Sequence, residues 1–132
     1  MLHGNWLSKS RQAGELLSRG QYERSIEIYS EVAKAFPRLP EPHNNLGVAL
    51  RASGEINQAI KSYQRAVKLD PNYMIARNNL TRALWQIEKI EEALNNYIFM
   101  LKKSDLDSQV VSEAVYNISQ IRFNRPSARA RN

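Results

Sequence analysis

Residues 43–71 read HNNLGVALRASGEINQAIKSYQRAVKLDP, and this stretch decides the fold. Leu46, Ala49 and Leu50 recur at helical spacing, and so do Ile56, Ala59, Ile60, Tyr63, Ala66 and Val67 further on. Ser53-Gly54-Glu55 separates the two runs, with Gly54 suited to the left-handed conformation that ends a helix. The second run stops at Asp70-Pro71, because proline disfavours helical geometry in the residue before it. Small residues at Gly47 and Ala59 let the two helices approach closely, while Tyr63 and Leu50 fill the wider gaps.

Working outward, the same hairpin recurs at an offset of 34 residues, as from Phe36-Pro37 to Asp70-Pro71. That offset also aligns Gly20 with Gly54, Tyr29 with Tyr63 and Tyr97, Ser25 with Ala59 and Ala93, and Leu16 with Leu50 and Leu84. Three units follow without an insertion: 6–39, 40–73 and 74–107. The flanking units are less regular, with Thr81 in place of Gly47 and Glu88 in place of Gly54, as suits the ends of a stack. Beyond them, Val111, Ala114, Ile118 and Ile121 form an apolar stripe over 108–123, preceded by Asp107 as a helix-starting residue.

This pattern resembles the tetratricopeptide repeat (TPR), which runs Trp-x2-Leu-Gly-x2-Tyr and then Ala, an aromatic, Ala and Pro. The middle unit carries the resemblance through Leu46-Gly47, Leu50, Gly54, Ala59, Tyr63, Ala66 and Asp70-Pro71, with His43 at the Trp position. The resemblance implies an all-α fold, an α-α superhelix of right-handed sense. It would hold three antiparallel helix pairs and a capping helix within residues 1–123. Its expected function is non-catalytic: a protein–protein interaction module holding an extended peptide or partner protein in a concave groove.

The first helix of each pair would supply the groove wall. Candidate peptide-binding residues there are Arg11, Asn44, Asn45, Arg51, Asn78, Asn79, Arg82 and Trp85, joined by Tyr116 from the cap. Val48, Ala52 and Gln86 fall on the same inner faces. Asparagine is a poor residue for a helix interior, so two Asn-Asn pairs at one register suggest a use. A carboxamide matches the hydrogen bonding of a peptide group, while the arginines favour acidic side chains or a terminal carboxylate. The aromatic pair Trp85 and Tyr116 would receive apolar side chains. The clamp by which some TPR domains hold acidic chaperone C-termini is not reproduced. Asn45 matches its second-unit asparagine, but Ser10, Gly14, Ile75 and Asn79 stand at its other places.

Two further surfaces enter the reading. Ile98-Phe99-Met100-Leu101 puts apolar residues where the other units are polar, so Ile98 and Phe99 are candidates for an oligomer surface and a homodimer. The net charge of +6 suggests an anionic partner, but four arginines, Arg122, Arg125, Arg129 and Arg131, lie in the last eleven residues and leave the body near neutral. Residues 124–132 read as a disordered basic tail, through which a nucleic-acid or ribonucleoprotein adaptor role is the alternative function.

Composition narrows the chemistry. A chain of 132 residues with 42% hydrophobic and 24% charged residues is an ordinary globular domain, without an apolar run long enough to cross a membrane. It has no cysteine, which removes disulfides and thiolate chemistry and fits a cytoplasmic location. The two histidines, His3 and His43, are forty residues apart, and His43 falls in a core column. No phosphate loop, nucleophile elbow or metal-ligand spacing can be assembled, so no cofactor, no metal and no catalysis are expected.

Overall fold

The computed structural model describes residues 2–123, except the side chains of 2–5, 110, 117 and 121–123. The basic tail at 124–132 therefore lies outside the described residues, as does the Ile121 end of the apolar stripe. The described residues form seven helices: α1 (Leu2–Ser18), α2 (Tyr22–Ala35), α3 (Pro40–Ala52), α4 (Ile56–Leu69), α5 (Met74–Gln86), α6 (Ile90–Lys103) and α7 (Ser108–Phe123). None of them is long and apolar enough to cross a membrane. Each helix packs on its neighbours in the chain, and α3 also touches α1 and α5. Among the described residues the second helices of successive pairs make no such contact, so the first helices line a common wall and the second ones splay outside it.

The turns within the pairs are built alike. Gln21 N–H donates to Leu16 O, Glu55 N–H to Leu50 O and Lys89 N–H to Leu84 O, each at 2.9 Å. A shorter loop inside each joins Gly20 to Leu17, Gly54 to Arg51 and Glu88 to Trp85. This is the double closure of a helix by a residue with positive φ. Gly20 and Gly54 meet that demand at φ 78° and 91°, and Glu88 is forced to follow at 62°. The substitution changed the residue and left the backbone as it was.

The central core joins Leu50, Ala59, Ile60, Tyr63, Leu80, Ala83, Leu84 and Ala93, drawn from α3, α4, α5 and α6. Tyr63 is 1% exposed and packs closely against Gly47. A Cβ at residue 47 would sit 2.5 Å from the Tyr63 Cε1, so only glycine admits the ring. The outer cluster of Ile90, Leu94, Leu101 and Ile118 seats α7 on α6, and Asp107 Oδ1 starts that helix by accepting from Gln109 N–H at 2.8 Å.

The third pair departs from the repeat in a way its alignment hides. Thr81 puts a side chain where Gly47 has none, and Tyr97, aligned with Tyr63, is 42% exposed. The buried residue is its neighbour Asn96, whose Nδ2 donates to Thr81 Oγ1 at 2.8 Å and to Arg77 O at 2.7 Å. Its Oδ1 accepts from Arg77 Nη1. The same guanidinium donates through Nε to Pro71 O at 2.6 Å and lies over the Phe99 ring at 3.6 Å. The two residues expected at an apolar oligomer surface, Ile98 and Phe99, are both half-buried. Ile98 packs beneath α7, and Phe99 is covered by Arg77, with Lys103 also over its ring. Arginine stacks on an aromatic face without losing its hydration entirely, so one face of the ring is covered from within the chain.

Two stability changes follow. Glu88→Gly removes left-handed strain worth about 1 kcal/mol, and a thermal melt should show the midpoint raised by a few degrees. Burial pushes the Tyr63 phenol up to about 12, against a weaker downward pull from Arg51. The unfolded chain ionises this group first, near 10. Its contribution to stability is intact below that pH and is lost as pH rises from about 10 towards about 12. Tyr63→Phe should move the alkaline unfolding midpoint upward in a circular dichroism titration.

Candidate functional site

Helical spacing brings residues three and four apart onto one face, and the inner wall is made this way twice. From α3 come Val48, Arg51 and Ala52; from α5 come Asn79, Arg82 and Gln86. With the edge of Tyr63 they line a hollow of about 460 Å³. A second hollow of about 470 Å³ is lined by Arg51, Thr81, Arg82, Trp85 and Gln86. The two share both arginines and Gln86, so they are halves of one concave surface across the joint between the second and third pairs.

Hydrogen bonds cross this joint at two levels. Asn79 Nδ2 donates to Asn44 Oδ1 at 2.9 Å, and Arg51 Nε donates to Gln86 Oε1 at 3.2 Å. Both partners are 35 residues apart, one repeat plus one residue. The first residue of a register pair therefore faces the following helix, and the second faces the preceding one. This gives the consecutive asparagines a structural use. Asn44 is 4% exposed and spent on α5, behind the wall surface. In the first pair Ser10 holds the register of Asn44, and its buried Oγ has no partner among the described residues.

The candidate residues divide accordingly. Arg51, Asn79, Arg82 and Trp85 are brought together on the wall. Asn44 lies beneath it; Asn45 is half-buried, and Arg11 and Asn78 are exposed, all three outside both hollows. Tyr116 is exposed on α7, with Gln109, Ser112 and Glu113, around a separate hollow of about 350 Å³. Thr81 and Tyr63 join the lining although their repeat columns marked them for packing. Tyr63, 1% exposed, touches the hollow only from beneath.

The charge in the wall is one-sided. Neither shared hollow is lined by a carboxylate, and among the described residues neither Arg51 nor Arg82 forms an ion pair. Trp85, 49% exposed, and Val48, 36% exposed, place apolar surface beside the two cations. His43 stands apart from this surface, with its Nε2 3.0 Å from Pro37 O in a loop-fixing contact.

Comparison with known proteins agrees with this fold. Residues 40–73 match the family model for the tetratricopeptide repeat. No curated protein sequence matches the chain. Among solved structures, the second TPR domain of human RPAP3, in complex with the HSP70 peptide SGPTIEEVD, superposes with a TM-score of 0.73. It is 24% identical, over 90% of this chain and 98% of that one. The first TPR of Spaghetti (RPAP3), bound to the HSP90 peptide SRMEEVD, gives 0.72 at 23% identity, over 87% and 90%. The Sgt2 TPR domain of Aspergillus fumigatus gives 0.69 at 19% identity, over 88% and 78%. At these identities the likeness is one of fold. Residues 40–73 are thus a tetratricopeptide repeat by sequence, and the three helix pairs with a closing helix have the fold of tetratricopeptide repeat domains.

Proposed function

We propose that the chain is a protein-interaction module whose ligand is an extended peptide, or an extended segment of a partner protein, lying across the joint between α3 and α5. The observation carrying this reading is the concave surface itself. Arg51, Arg82, Asn79, Gln86, Trp85 and Val48 converge there from two helices with their polar and apolar groups open to solvent. Such a mixture suits a peptide, which brings both backbone polar groups and side chains. The Asn79 Oδ1 has no partner among the described residues, so one amide joins the helices and still offers an acceptor to a ligand. Structures of similar fold hold peptides ending in Glu-Glu-Val-Asp, which supports the class of ligand. The particular contacts differ here, since Ser10, Gly14 and Ile75 carry no cation.

Selection of random dodecapeptides against the full chain, followed by fluorescence anisotropy, tests the proposal. Ala52→Trp fills the hollow from an exposed position and should abolish binding of the enriched peptides, while Gln64→Trp on the outer side leaves it unchanged. Equal binding by both variants would refute a ligand in the groove. Asn79→Ala has a separate readout in stability. It removes the donor to the buried Asn44 Oδ1, leaving Asn44 its hydrogen bond with Tyr73, and should cost about 1 kcal/mol in a urea titration.

A further inference from the structure

The unpaired charge on the wall narrows what the ligand must contain. Arg51 and Arg82 face the same two hollows with no carboxylate in either lining. Gln86 engages the Nε of Arg51 and so fixes the plane of its guanidinium. The terminal edge, with its two Nη groups, is left for a bidentate acceptor. Beside this edge the indole of Trp85 stands half in water, and the Val48 side chain adds aliphatic surface.

We propose that Arg51, Arg82 and Trp85 form a recognition subsite for a peptide carboxylate adjacent to an aromatic or aliphatic side chain. The carboxylate bridges the two guanidiniums and relieves their mutual repulsion, and the apolar side chain covers the indole. Gln86 is a positioning residue, acting through Arg51. The chain's own C-terminal segment is unsuited as occupant, because Arg125, Arg129 and Arg131 stand there without an acid. The occupant is a separate acidic peptide segment.

This inference rests on the groove reading, and the same selection separates the two. Two dodecapeptide libraries serve, one with free C-termini and one with the peptide fused at both ends. Enriched peptides should carry Asp, Glu or a terminal carboxylate next to Phe, Trp, Tyr or Leu. Replacing the peptide's Glu by Gln, or amidating its C-terminus, tells a side-chain carboxylate from a terminal one by which change abolishes binding. Arg51→Ala and Arg82→Ala should each weaken binding at least about tenfold, the loss of a charge-assisted hydrogen bond. Gln86→Glu supplies Arg51 with an internal carboxylate and should weaken binding comparably, with an unchanged melting curve. Gln86→Ala should have a smaller effect. Enrichment of neutral or basic peptides, or indifference to both arginine variants while Ala52→Trp still blocks, overturns this inference and leaves the groove standing. Failure to enrich any peptide overturns both.

Discussion

The contact of the Tyr63 ring with the bare α-carbon of Gly47 is the constraint on which the molecule depends. It sets how near α3 comes to α4, and so where the outer faces of that pair lie. Leu50, Ala59 and Ile60 then meet Leu80, Ala83 and Leu84 of the next pair in one cluster. A helix pair this small cannot bury its own apolar surface, and stacking supplies the missing cover. The inner wall results from the same packing. With the first helices drawn together, side chains 35 residues apart come within hydrogen-bonding distance.

The third pair is packed by other means. A threonine in the glycine column excludes a ring at that point, and α6 turns a carboxamide inward. Asn96 is buried but has both ends satisfied, by Arg77, the Arg77 carbonyl and Thr81. A buried amide left half-paired would destabilise the pair; fully paired, it fixes one arrangement. Arg77 holds the register of His43, and each reaches the carbonyl of a proline six residues earlier, Pro71 or Pro37. Two unlike side chains thus fasten the loop before a first helix in the same way.

The repeat and its seven helices were legible because period, apolar spacing and punctuation agree over residues 43–71. The inner wall was legible for Arg51, Asn79, Arg82 and Trp85, whose helical phase follows from the repeat. Two things were not. The outward turn of Tyr97 is decided by Thr81 together with Asn96, a pair from different helices that no column of the repeat brings together. The division of labour between neighbouring asparagines depends on which adjacent helix each one faces. Asn44 and Asn79 look like equivalent ligands in the sequence, yet they bond to each other.

The two cross-helix bonds give the wall a property beyond its outline. Asn44 with Asn79 and Arg51 with Gln86 are rungs set about two helical turns apart, and they brace α3 against α5 before anything binds. Side chains ordered in advance lose little freedom on association, so nearly all the entropy surrendered in forming a complex comes from the incoming chain. A rigid surface of this kind rewards short, stiff ligands over long, flexible ones.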